Sequence, residues 1–147
     1  MLLDLRANQP TVEKMKFAYT ILYVPDVAQA IAFYEAAFGL ARGFVHEGGD
    51  YAELQTGSTI LSFASLSLAE SNIKGGVTPS DVRNRPAAFE LAFSSDDVAA
   101  AYDRAVSAGA LPATPPTLKP WGQTVSYVRD LYGNLIEICT PIPVPAE

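Results

Sequence analysis

The chain repeats itself. Residues 17–39, FAYTILYVPDVAQAIAFYEAAFG, lie over residues 88–109, AFELAFSSDDVAAAYDRAVSAG, with an offset of 71. Asp26-Val27-Ala28 falls on Asp97-Val98-Ala99 and Ala30 on Ala101, with one residue lost before the closing Gly39 and Gly109. Each copy opens with a short strand, reaches an aspartate-bearing turn and runs into an alanine-rich helix. Asp26, and Asp96 or Asp97, are the natural N-caps, because their carboxylates accept a free first-turn N–H. Gly39 and Gly109 stand where a helix ends in the left-handed conformation. Val27, Ala30, Ile31, Tyr34 and Phe38 recur at three- and four-residue spacing; Val98, Ala101, Tyr102, Ala105 and Val106 do the same.

The segments after each helix also match. The first is followed by β-like runs at 42–46, 51–55 and 59–64, broken by Gly48-Gly49 and Thr56-Gly57-Ser58. The second is followed by a proline-rich stretch (Pro112, Pro115, Pro116, Pro120), then runs at 124–129 and 135–140 around the Gly133-Asn134 turn. The unit is β-α-β-β-β, present twice. Each copy alone, at about 70 residues, has a marginal core, so the copies are expected to pack together. The reading is one domain, 1–147, with a first module at 16–70, an exposed connecting loop at 71–86 and a second module at 87–141.

Composition narrows the function. A net charge of −6 with no basic run disfavours nucleic acid, whose phosphates would be repelled. The apolar runs are too short to span a bilayer, so no membrane partner is expected. Residues 1–16 carry neither a basic leader nor a sustained apolar stretch, and a single cysteine excludes an intrachain disulfide. A cytoplasmic protein is the simplest account. No glycine-rich phosphate loop, nucleophile elbow or HExxH motif occurs.

One stretch raises a chemical question. In RDLYGNLIEICTP, residues 129–141, Glu137 sits at the centre of the apolar run Leu135-Ile136-Glu137-Ile138-Cys139. A charge inside such a strand is normally neutralised, paired or holding a cation.

The duplicated unit, together with PWGQTVSYVRDLYGNLIEI, resembles the vicinal oxygen chelate superfamily: glyoxalase I, bleomycin-resistance proteins and extradiol dioxygenases. The resemblance covers residues 16–141, with Leu131-Tyr132 replacing the usual Pro-Asp of that ending. It implies an α+β fold in which two βαβββ modules form a half-open cup of curved mixed sheets, helices outside. Strand alternation then puts Phe89, Leu91 and Phe93 under the helices, and Glu90, Ala92 and Ser94 toward the cup. Tyr19, Ile21 and Tyr23 share the cup face, as do Leu135, Glu137 and Cys139.

In metal-binding members, four inward residues hold a divalent ion, and these positions fall here on Tyr19, Ser62 (or Leu61), Glu90 and Glu137. None is histidine. The only histidine, His46, lies on another strand, which excludes a two-histidine-one-carboxylate iron site within one chain and argues against extradiol dioxygenase chemistry. Glyoxalase-type isomerisation needs a metal to polarise oxygens and a carboxylate base. Glu90 and Glu137 would serve as ligands for Mn, Ni or Zn, with Glu137 as the catalytic base, while serine and tyrosine are poor substitutes for the rest. Two facing carboxylates otherwise share a proton or meet a positively charged ligand, for which Tyr19, Tyr23 and Trp121 offer ring faces.

The expectation is therefore a small-molecule-binding protein of the glyoxalase/bleomycin-resistance type, taking a cationic or aromatic ligand on Tyr19, Tyr23, Ser62, Glu90, Trp121 and Glu137. The alternatives are a metal-dependent lyase or isomerase with a carboxylate-rich site, and a regulatory member with a vestigial pocket. The resemblance also implies a homodimer whose cups are completed across the interface. Cys139 is expected to be an inert thiol, His46 an ordinary hydrogen-bonding residue, and Lys74, Arg83 and Arg85 solvated.

Overall fold

The computed structural model describes residues 11–142. Residues 1–10 and 143–147, and with them the expectation about a leader and the ends of the single-domain assignment, lie outside that range. Strand β1 (Tyr19–Val24) leads into helix α1 (Val27–Phe38), then β2 (Ala41–Val45), β3 (Tyr51–Gln55), β4 (Ile60–Ser65) and the short α2 (Leu66–Asn72). The second unit is β5 (Leu91–Ser94), α3 (Val98–Ser107), β6 (Leu111–Leu118), β7 (Thr124–Arg129) and β8 (Leu135–Cys139). Two four-stranded mixed sheets result, ordered β1-β4-β3-β2 and β5-β8-β7-β6, neither closed into a barrel. In each, the first strand runs parallel to the last: Ile21 pairs Ser62, and Ala92 pairs Glu137.

The capping residues act as their chemistry predicts. Asp26 accepts from Gln29 N at 3.0 Å and Asp97 from Ala100 N at 3.1 Å, while Gly39 ends α1 at φ +69°. On β1, β3, β4, β7 and β8 one face alternates into the core: Leu22 and Val24, Leu54, Leu61 and Phe63, Val128, and Ile136 with Ile138. Burying each such side chain stabilises the fold by roughly 1.5–3 kcal/mol before entropy is counted. Small residues on α1 and α3, among them the fully buried Ala30 and Ala105, let the two helices pack against each other. Phe38 meets Phe93 across the modules with ring centroids 5.0 Å apart, and Arg104 Nε donates to Ala36 O at 2.9 Å.

Three details differ from the sequence reading. Helix α2 was not expected; Ser65 caps it by accepting from Leu68 N at 3.1 Å. The loop after it is not free along its length, since Arg129 donates to Gly133 O, Val82 O and Asp81 O, and Ser80 donates to Asn134 Oδ1. Arg83 is 85% exposed, solvated as expected, and its guanidinium also pairs with Asp81 at 2.6 Å. Phe89 does not lie under a helix: it precedes β5 and is half exposed, whereas Leu91 and Phe93 pack against the core. The proline-rich segment is edge strand β6, with register shifts at 112–114 and 114–117, as prolines that cannot donate to a ladder require.

Candidate functional site

The faces turned away from the helices carry the polar groups. On the second sheet, Tyr127 stands opposite Glu137 in the β7–β8 register and donates its hydroxyl to Oε1 at 3.0 Å. Burial first, then the hydrogen bond to Glu137 and the charges of Glu137 and Glu90, push the Tyr127 phenol up to about 12. It therefore stays a donor at neutral pH. Glu90 lies just before β5, close enough that its carboxyl is raised by burial and then by the charge of Glu137. The same surroundings raise the Cys139 thiol, which keeps it protonated and a weak nucleophile.

On the first sheet, Tyr51 donates to Glu53 Oε2 at 2.7 Å, and Glu53 stands opposite Ser62 in the β3–β4 register. Ser62 is fully buried, and its Oγ is the one buried side-chain polar atom among the described residues with no hydrogen-bond partner. The Ser62 hydroxyl approaches the Tyr51 phenol and opposes its upward shift, which burial dominates, but the pair does not close a well-formed hydrogen bond. Tyr19 lies near the same group and is half exposed.

The structure thus brings Glu90 and Glu137 together on one wall and places Tyr19 and Ser62 on the other. Among the described residues no hydrogen bond or ion pair joins the two walls. Tyr23 is half-buried and lines a hollow of about 190 Å³ with Phe89, Thr78 and Asn134, a lining that includes neither Glu90 nor Glu137. Trp121 is 64% exposed on the β6–β7 loop, its ring N–H held by Gln123 Oε1 at 2.8 Å. His46 lies in the turn after β2, its Nδ1 2.9 Å from Asp50 Oδ1. The sequence reading missed Tyr51, Glu53 and Tyr127; the alternation of YAELQ and TVSYVR, buried at Ala52, Leu54, Ser126 and Val128, carried that signal.

The donor set is poor in the nitrogen ligands that Ni and Zn favour. Two carboxylates, one already bonded to a tyrosine hydroxyl, are joined by no imidazole, and no three acidic, histidine or cysteine side chains are arranged to hold a metal ion among the described residues. Borderline ions such as Ni and Zn favour nitrogen and sulfur ligands.

Behind the site, the DLYGN turn is a scaffold. Asp130, fully buried, accepts from Tyr34 Oη at 2.7 Å and from Tyr132 N, Asn134 N and Asn134 Nδ2, each at 2.9 Å. Gly133 adopts φ +94°, and a side chain there would fall 2.6 Å from Arg129 Nη2 and 2.9 Å from the Asp81 backbone. Tyr132, one of the departures from the usual Pro-Asp, reaches the first module: its hydroxyl lies 3.0 Å from Asp26 O and 2.9 Å from Gln29 Oε1.

Two βαβββ units, each a mixed sheet with its helix on one face and a polar group on the other, define a vicinal-oxygen-chelate protein. The chain belongs to the Glyoxalase/Bleomycin resistance protein/Dioxygenase superfamily, whose family model matches residues 16–138. Among solved structures it is similar to a glyoxalase-related enzyme from Fulvimarina pelagi, with 25% identity, a TM-score of 0.76, and coverage of 90% of this chain and 94% of that one. It is also similar to a glyoxalase/bleomycin resistance protein/dioxygenase family enzyme from Burkholderia phytofirmans PsJN (20%, TM-score 0.71, 86% and 98%). A superfamily member from Sphaerobacter thermophilus DSM 20745 shares the fold as well (18%, TM-score 0.67, 87% and 98%). No curated protein sequence matches the chain. No helix among the described residues is long and apolar enough to cross a membrane.

Proposed function

We propose that this chain binds a small organic cation through Glu90 and Glu137, and that binding, not metal-assisted chemistry, is its activity. One observation carries the reading. Two adjacent carboxylates share a half-open wall, Tyr127 supplies only one donor, and among the described residues no lysine, arginine or histidine forms an ion pair with either. Such a pair is relieved by a proton or by a cation. A quaternary or aromatic cation suits the ring faces of the half-exposed Tyr19 and the exposed Trp121. A second copy would complete the site: Phe17, Tyr19, Ile21 and Phe89 are at least 38% exposed, apolar surface that such a copy would cover.

Calorimetric titration with benzyltrimethylammonium tests this. Saturable 1:1 binding to wild type, lost in the Glu90→Gln/Glu137→Gln double variant, is the expected result. No heat with wild type, or equal binding by the double variant, would sink the reading. Sedimentation equilibrium checks the homodimer: a single species at the monomer mass would remove the second copy from it.

A further inference from the structure

The Tyr51–Glu53–Ser62 group on the first sheet is independent of the Glu90–Glu137 pair. Its hydrogen-bond bookkeeping is unbalanced in one direction. Tyr51 spends its only proton on Glu53 Oε2 at 2.7 Å. Glu53 keeps a second oxygen, Tyr51 Oη keeps a lone pair, and Ser62 Oγ has no partner although it is fully buried. Among the described residues Glu53 has no cation partner. Buried polar atoms are almost always satisfied, so an orphaned hydroxyl opposite a tyrosine-oriented carboxylate marks a place where a polar partner is missing. The free Glu53 oxygen and the Tyr51 lone pair, beside one net negative charge, match a group carrying N–H donors and one positive charge.

We propose that Tyr51, Glu53 and Ser62 form a primary-ammonium site, with Glu53 as the charge partner, Tyr51 Oη as second acceptor and Ser62 as the residue positioning the phenol. A quaternary ammonium has the same charge but no N–H, so it satisfies none of these acceptors. The site therefore selects amines by hydrogen bonding, where the aromatic faces assigned to the Glu90–Glu137 site select by ring contact.

The test is a titration of the full-length, 15N-labelled chain with n-butylammonium and, separately, butyltrimethylammonium, following the backbone amide signals of Tyr51, Glu53 and Ser62. The primary amine should move them saturably, at about tenfold lower concentration than the quaternary analogue. Glu53→Gln should abolish the saturable shift. Ser62→Ala should narrow the preference between the two cations while leaving some binding, a change in selectivity that loss of packing alone would not produce. If Glu53→Gln does not fold, Tyr51→Phe takes its place, with the preference again expected to narrow. Signals that stay still with the primary amine, move equally with both cations, or still saturate in Glu53→Gln would each overturn the proposal. Signals from Glu90 and Glu137 report the other site separately, so failure of one reading does not conceal failure of the other.

Discussion

Tyr127 and Glu137 face each other across β7 and β8, and the phenol holds one oxygen of the carboxylate at 3.0 Å. This bond fixes the direction in which Glu137 presents its remaining lone pairs. Tyr127→Phe should lower stability at neutral pH by about 1 kcal/mol, read as a shift of the urea midpoint with unchanged slope. The same variant should bind benzyltrimethylammonium more weakly, because the carboxylate is no longer held toward the open face. Unchanged stability and unchanged binding would show that the bond orients nothing.

Glu90 makes a prediction about pH. Burial and the neighbouring charge of Glu137 raise its carboxyl above the ordinary value of 4.5, so the folded chain holds that proton to higher pH than the unfolded chain. The contribution to stability is fully present below the unfolded-state value and is lost as pH rises through the raised folded value. Glu90→Gln cannot ionise, so it should gain stability over wild type at neutral pH and gain none at acid pH. Cation binding should run the other way in wild type, weakening as pH falls and Glu90 takes up its proton. Urea midpoints across the acid range, with calorimetry at matching pH, check both signs.

The buried Asp130 is where stability should be most sensitive to a single polar change. Tyr34→Phe removes the 2.7 Å donor and should cost about 1.5–3 kcal/mol, as expected for a bond to a charged group. Asp130→Ala strands the two amides, the Asn134 side chain and the Tyr34 hydroxyl together, and should cost about 3 kcal/mol or more. Denaturant unfolding of the two variants tests the order, Asp130→Ala being the worse.

Trp121 is the only tryptophan in the sequence and lies exposed on its loop, so its emission is an unambiguous reporter. If its ring receives the ligand, benzyltrimethylammonium should quench it along the same isotherm as the calorimetric one. Trp121→Ala should then weaken binding by about 0.5–1 kcal/mol, the range for an exposed cation–π contact. Emission that stays constant through saturation would remove Trp121 from the site.

The fold was largely legible because it is written twice. Aspartate caps, helix periodicity and closing glycines depend on residues within a few positions of one another, so they survive in the sequence as local pattern. Strand alternation likewise set Glu137 on the face away from Ile136 and Ile138, both of which are buried. Phe89 misled because it lies before β5 begins, where alternation no longer governs the side chain. Helix α2 escaped because its single turn or two is set by the Ser65 cap and by packing on β4, not by a long apolar period.

The local chemistry was a different matter. From sequence alone came the duplicated unit, the two facing carboxylates of the second sheet and the absence of histidine from the ligand positions. Only the tertiary structure decided that Tyr51 bonds to Glu53, that Tyr127 bonds to Glu137, and that Asp130 collects donors from a helix 96 residues away in sequence. Only it set Tyr132 against the start of α1. Caps and periodicity are short-range and additive along the chain. Hydrogen-bond partners depend on strand register and on how two modules pack, and neither is fixed until the whole core closes.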